Sequence, residues 1–300
     1  MSFRYNRIFK PLRRIAKSVL SFVFPVVTKI WRLPRVASID ETLDKINYDK
    51  CSIARFGDGE FLFVLDKLDL PFQEYNEALS EKLKKILVSS SSNILIGLPS
   101  GYHSMRNMNY ESRLMWRSHL SWTYPRVSRL LNLKKEYYNA SFTRFYYELE
   151  NKTDSKRYIS KIKEIWKDRE ILIVEGEKSR LGVGNDLFAN TASVVRILAP
   201  KHHAFRRYED LLNAAVDHGK DKLVLLALGP TATALSFDMA QRGFQVIDIG
   251  NVDIEYEWFL SNSIEKVVVK GKYTSEAVGG REVEDISDPY YESQIILRIL

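Results

Sequence analysis

The chain carries a single cysteine, Cys51, in 300 residues. That excludes an intramolecular disulfide and fits a reducing compartment. Cys51 sits in a short apolar run, which predicts a buried structural thiol rather than a nucleophile. No Cys/His cluster has zinc spacing, and His202-His203 stands alone as a surface or loop pair. Long apolar runs are scarce as well. The stretch Val19 to Val27 is broken by Pro25 and falls far short of the roughly 20 residues that span a bilayer. No RNA-binding module, zinc finger or helix-turn-helix stands out, so nucleic acid is not an expected partner.

What is present is ordinary in bulk and uneven in place. Hydrophobic residues make up 45% and charged residues 28%, which suits a globular chain with one large domain or two small ones. The net charge is +7, but nine basic residues precede the first acid, Asp40. They are Arg4, Arg7, Lys10, Arg13, Arg14, Lys17, Lys29, Arg32 and Arg35; taking them from 45 leaves 36 basic residues against 38 acidic, a net of −2. The body is nearly neutral. Within the arm, Ile8, Leu12, Ile15, Val19 and Phe22 recur at helical spacing, with Lys10, Arg13, Arg14 and Lys17 largely on other faces. A basic amphipathic helix lying on an anionic leaflet is the expectation, and a helix packed on the body is the alternative. A secretory signal fits less well, because no small-x-small cleavage site follows. Leu33-Pro34 breaks the arm and Ser38-Ile39-Asp40-Glu41 reads as a helix start, so the division is an arm at 1–37 and a body at 38–300.

Along the body, short apolar runs alternate with helical patterns. Strands are predicted at Ser52 to Phe56, Ile94 to Leu98, Ile171 to Val174, Val194 to Leu198, Leu223 to Leu228 and Gln245 to Ile249. Helices are predicted at Asn76 to Val88, Ser155 to Lys167, Tyr208 to His218 and Thr231 to Arg242. The alternation implies an α/β fold with a largely parallel sheet and helices on both faces. Residues 101–150 are aromatic and basic with weaker periodicity, and read as a lid or the acceptor side of a cleft.

In such folds ligands sit beyond the carboxyl ends of the strands, and four loops fall there. Gly57-Asp58-Gly59-Glu60 follows the first strand. Two carboxylates flanking one glycine can face the same side of an extended turn and hold Mg²⁺ or Mn²⁺ against substrate phosphates; a solvated turn is the alternative. Next, Glu175 to Asp186 contains Lys178, Arg180, Gly182, Gly184 and Asn185. Its glycines can bare N–H groups and its cations can meet a phosphate, or it is a structural turn. It is not a G-x-G-x-x-G loop. In Gly229-Pro230-Thr231-Ala232-Thr233 the threonines lie at a helix N-terminus, suited to an anion or simply to capping. Last, Asp253 and Glu255 can share a face and supply a general base, or serve as solvated acids at a helix start.

Taken together, Arg55 to Glu60, Glu175 to Phe188, Leu228 to Thr233 and Asp248 to Phe259 resemble, in order, the bacterial GT-D-fold glycosyltransferases. The resemblance covers most of residues 40–262 and leaves out the arm. It implies a Rossmann-like fold, a nucleotide-sugar donor, a divalent metal, and work on surface polysaccharide or glycoprotein glycans. Asp58 and Glu60 fall on the family's D-x-E metal motif, whereas Asn251 stands where the family often has His. The resulting expectation is a cytoplasmic enzyme on the inner face of the membrane, moving sugar from a UDP-sugar to a glycan or lipid-linked oligosaccharide. Arg55, Gly57, Gly59, Arg180, Gly182, Gly184, Asn185, Gly229, Thr231 and Thr233 would bind the donor; Glu255, or else Asp253, would take the acceptor proton with inversion. A metal-dependent phosphohydrolase and a non-catalytic nucleotide-sugar-binding protein are the competing readings.

Overall fold

The computed structural model describes residues 10–300; Arg4, Arg7 and Ile8 of the arm reading lie outside the described residues, as do the side chains of Lys10 and Arg13. Nine strands form one parallel sheet. They are β1 (Arg35–Val36), β2 (Ser52–Arg55), β3 (Ile94–Leu98), β4 (Glu136–Asn139), β5 (Glu170–Gly176), β6 (Ser193–Ala199), β7 (Leu223–Ala227), β8 (Val246–Asp248) and β9 (Ile295–Arg298). The order across the sheet is β1-β4-β3-β2-β8-β7-β5-β6-β9. All six predicted strands are present. The three missed ones are short or polar and lie toward the sheet's edges, where continuous apolar runs are not needed.

Both faces are covered. Residues alternate along each strand, so Leu172, Val174, Val224 and Leu226 enter one core while Ile171, Ile173, Leu223 and Leu225 enter the other. The first core is closed by α3 (Asp58–Asp66), α4 (Glu77–Val88), α5 (Tyr110–Val127), α7 (Tyr208–Gly219) and α8 (Pro230–Gln241). The second is closed by α2 (Ile39–Tyr48), α6 (Ser155–Glu164) and α9 (Val252–Leu260). The predicted helix start at Ser38 is a full capping box: Glu41 N–H donates to Ser38 Oγ at 3.1 Å, and Ser38 N–H donates to Glu41 Oε2 at 2.7 Å.

Three expectations change. The aromatic middle is not a loose lid, since it contains α5. Its periodicity is weak because α1 (Lys10–Ile30) packs against it from outside, leaving no broad polar stripe. The boundary at residue 37 also moves, because Arg35 and Val36 are sheet residues and Ala37 N–H donates to the Tyr137 carbonyl at 2.8 Å. Cys51 is half-buried rather than buried, and burial pushes its thiol up. Among the described residues no helix is long and apolar enough to cross a membrane.

From β2 the chain runs outward through β3 to β4, then crosses to β5 on the other side, and only β8 returns to pair with β2. The β2/β8 boundary is thus the switch point, and the crevice at its carboxyl end is where a ligand is expected.

Candidate active site

Arg55 and Asp248 end the two strands at that boundary, and Arg55 Nη2 donates to Asp248 Oδ1 at 3.0 Å. Arg55 Nη1 also donates to the Ala140 carbonyl at 3.0 Å and to Thr143 Oγ1 at 2.7 Å, so one guanidinium ties β2 and β8 to the turn after β4. Its position explains Gly250. That residue has φ +46°, and a Cβ on it would lie 1.8 Å from Arg55 Nη2. Burial pushes the Asp248 carboxyl up, with the Arg55 charge pulling the other way.

Asp58 and Glu60 do not lie on an extended turn. They occupy the first turn of α3, where residues two apart point in different directions. Asp58 is exposed, while Glu60 folds back so that Gly57 N–H donates to its Oε2 at 2.8 Å. Burial raises the Glu60 carboxyl to about 7, and the negative charges of Asp248 and Asp58 act in the same direction. A Cβ on Gly59 would meet only Leu70, at 3.5 Å, so packing does not demand a glycine in that helical position.

The N-terminus of α8 adjoins the same strand end: Thr233 Oγ1 donates to the Arg55 carbonyl at 2.8 Å. Thr231 and Thr233 are both buried, and Thr231 Oγ1 lies 3.4 Å from Gln73 Oε1. Gly229 has φ +55°, with the Phe72 ring 2.4 Å from where its Cβ would be. The segment 67–76 thus covers this helix end. It is fastened by His203, whose N–H donates to the Phe72 carbonyl at 2.8 Å and whose Nδ1 accepts from Glu74 N–H at 2.9 Å.

The loop after β5 is held by acids. Glu175 and Arg196 form a buried pair at 2.6 Å, and Leu181 N–H donates to Glu175 Oε2 at 2.8 Å. Arg180 is buried, and its Nη1 donates to the carbonyls of Gly271 at 2.7 Å and Glu284 at 2.9 Å. Its charge anchors the C-terminal segment rather than facing a phosphate. Lys178 pairs with Asp285 on the same segment. Gly182 N–H and Asn185 Nδ2 donate to Asp253 Oδ1 at 3.0 and 2.7 Å. Gly184, at φ +77°, has nothing within 4 Å of a Cβ position and stays open.

Asp253 and Glu255 both lie in the first turn of α9, so they too diverge. Asp253 is buried, and its other oxygen accepts from Lys272 Nζ at 2.7 Å; burial raises its carboxyl, with Lys272 opposing. Glu255 is buried on the far side of the helix, where its Oε1 accepts from the N–H groups of Tyr146 and Tyr147 at 2.9 and 2.7 Å. Its Oε2 is 3.9 Å from Arg144 and has no hydrogen-bond partner. Burial pushes Glu255 up to about 7 against the pull of Arg144. Neither acid has an open face toward an acceptor hydroxyl. Both act as anchors between α9 and neighbouring loops, which replaces the general-base reading. Asn251, beside them, is the half-buried N-cap of α9.

A sequence profile for the family described as "Glycosyltransferase GT-D fold" matches residues 53–277, which contain every motif above. The chain belongs to this family. It is 35% identical over 266 residues to the protein named "Probable glycosyl transferase Gly" of Streptococcus gordonii, and 37% over 267 residues to "Glycosyltransferase GlyD" of Streptococcus pneumoniae serotype 4. Those matches take in 88% and 89% of this chain but only 39% and 33% of the relatives, so the chain spans little more than a third of their length. Among solved structures, "A New Glycosyltransferase (DUF1792) from Streptococcus sanguinis" superposes with TM-score 0.85 at 33% identity, over 89% of this chain and all of that one. A second, described as a "highly conserved domain of unknown function 1792" with "a distinct glycosyltransferase fold", gives 0.82 at 33% identity, over 95% and 98%.

In this GT-D chain the ion-pair roles of two buried positions were not legible in the sequence. Asp248 was visible as an acid ending an apolar strand, yet its role depends on lying opposite Arg55. Lys272 gave no local signal at all. The donor set at the crevice is made of oxygens, and among the described residues the Asp58 side chain has no hydrogen bond or ion pair. Among the described residues no group of three or more metal-ligating side chains gathers. Such a set fits a hard cation held by one or two carboxylates together with a substrate's phosphates, rather than an all-protein cage.

Proposed function

We propose that this chain transfers a sugar from a UDP-sugar to a glycan acceptor at a membrane surface. The observation that carries this reading is the gathering of three family motifs around the β2/β8 crevice, the fourth joined to α9 through Asp253, with the exposed carboxylate of Asp58 in the first turn of α3 beside them. Asp58 would hold Mg²⁺ or Mn²⁺ together with the donor's phosphates, joined by Glu60 once its carboxylate leaves the Gly57 N–H, and the ion would supply Lewis-acid stabilisation of the departing nucleoside diphosphate. Arg55 fixes the strand ends that shape the crevice. The backbone at Gly184 leaves room for the donor to approach, whereas Gly57 faces the Glu60 carboxylate and Gly59 faces Leu70.

The membrane part of the reading rests on α1. Leu12, Ile15, Val19, Phe22, Val26 and Ile30 recur three or four residues apart and are all exposed, Phe22 at 86%. Phe24, Val27 and Trp31, on another face of the same segment, pack onto the body. The helix therefore docks with one stripe and leaves a second apolar stripe uncovered, flanked by the exposed Arg14, Lys17 and Lys29. That arrangement suits the boundary of an anionic leaflet on the cytoplasmic side, and an acceptor carried on a lipid.

The test is UDP release from a panel of UDP-sugars, with and without Mn²⁺, and with and without candidate glycan acceptors. Metal-stimulated release that requires an acceptor supports transfer. Equal release without any acceptor would favour a phosphohydrolase, and UDP binding without turnover would favour a non-catalytic binder.

A further inference from the structure

Three arginines on the crevice side of the molecule have no role in the site described. Arg113 and Arg117 lie on α5, and Arg106 lies on the loop between β3 and α5. With His103, Phe24 and Leu33 they line a cavity of about 380 Å³ between α1, α5 and that loop. The pocket is built rather than incidental. Gly101 lets the loop lie flat on α5, since a Cβ there would sit 2.8 Å from the Trp116 ring. Arg113 Nη2 donates to the Met108 carbonyl at 2.6 Å, Arg117 lies over the Phe24 ring, and His103 Nδ1 is held 2.7 Å from the Val36 carbonyl oxygen.

The charge of this pocket is uncompensated. Among the described residues none of Arg106, Arg113 and Arg117 pairs with a carboxylate; the nearby Glu111 is opposite Arg14 instead. The arm, which supplies one wall, contains no acid before Asp40. Arg113 Nε and Arg117 Nε are buried without hydrogen-bond partners. Three guanidinium groups converging on one concavity repel one another unless an anion joins them, and their planar forks match phosphate oxygens. The pocket lies at the crevice end of the sheet: its loop follows β3, which pairs in parallel with β2, so the chain leaves both strands at the same end.

We propose that this cavity is an acceptor subsite for a phosphate or diphosphate group, so that the acceptor glycan is one carried on a phosphate. The inference rests on the transferase reading and gives its acceptor a chemistry. The anionic group would seat among Arg106, Arg113 and Arg117, and the attached sugar would reach toward the carboxyl end of β2.

Calorimetry with the full chain and inorganic pyrophosphate, in the presence of a chelator to silence metal-dependent donor binding, tests the site directly. The wild-type chain should bind, and Arg113→Gln with Arg117→Gln should weaken binding by at least about tenfold, while UDP affinity in Mn²⁺ is unchanged. Should that pair fail to fold, Arg106→Gln decides the matter: its side chain is exposed, and it should weaken pyrophosphate binding severalfold. Two further probes separate the sources. Tighter binding of farnesyl diphosphate than of N-acetylglucosamine 1-phosphate assigns a lipid carrier, and the reverse order assigns a soluble sugar phosphate. No binding by the wild-type chain, or equal binding by wild type and variants, overturns the proposal. A chain that binds pyrophosphate here yet releases UDP from no donor would sink the transferase reading and leave the anion site standing.

Discussion

In the proposed transfer, Asp58 is the residue on which metal binding turns. It is exposed and without side-chain partners among the described residues, so Asp58→Asn should leave the melting temperature unchanged. Metal-stimulated UDP release should fall by at least about 100-fold, reflecting several kcal/mol of lost Lewis-acid assistance. Near-wild-type turnover with saturating donor and Mn²⁺ would show that the metal reading is wrong. Glu255 makes the opposite case. Its carboxyl is raised from 4.5 to about 7, so across that window the folded chain holds a proton that the unfolded chain has released. Stability must therefore fall as pH rises from about 4.5 to about 7, and level off above. Glu255→Gln keeps an acceptor for the Tyr146 and Tyr147 N–H groups but cannot titrate. Its urea midpoint should vary less with pH than that of the wild type, with turnover largely retained. A drop of 10²-fold or more in turnover alone, the usual weight of a general base, would restore the base assignment.

At the scale of elements, α1 carries two apolar stripes, one packed on the body and one exposed. Phe22→Glu with Val26→Glu should release the chain from vesicles containing phosphatidylglycerol without lowering its melting temperature, because both side chains are exposed. Phe24→Ala should do the reverse, lowering the melting temperature through loss of packing on the body and of the Arg117 contact, with vesicle binding intact. Flotation and thermal melting on the same samples distinguish the two. If the double Glu variant floats as well as wild type, the outer stripe serves something other than a membrane. The α5 result belongs here as well. A helix covered on more than one side carries no amphipathic signal, so its aromatic and basic sequence did not announce it.

For the whole molecule, the buried network around Lys272 decides how the C-terminal part is held. Lys272 Nζ donates to Asp253 at 2.7 Å and to Glu257 at 2.8 Å, while Arg180 grips Gly271 and Glu284 from the loop after β5. Residues 261–288 contain no regular helix or strand, so these buried contacts take the place of a ladder. Lys272→Met leaves Asp253 buried without its cation and should cost about 3–5 kcal/mol. Limited proteolysis should then cut within 261–288 well before the sheet domain. Unchanged protease resistance would mean that the two carbonyl contacts of Arg180 suffice.

The sequence by itself determined the α/β class, six of the nine strands, and the four loops at strand carboxyl ends. It could do so because apolar runs in a buried parallel sheet, and glycines at their ends, are local patterns. It also placed the exposed stripe of α1. Only the tertiary structure decided which carboxylates are available. Asp58 and Glu60, and likewise Asp253 and Glu255, are spaced two apart, which puts side chains on one face in extended chain and on diverging faces in a helix. Both pairs proved helical. The partners that settle each acid, Arg55 for Asp248, Lys272 for Asp253 and Arg144 for Glu255, lie between 19 and 193 residues away along the chain, beyond the reach of any local pattern.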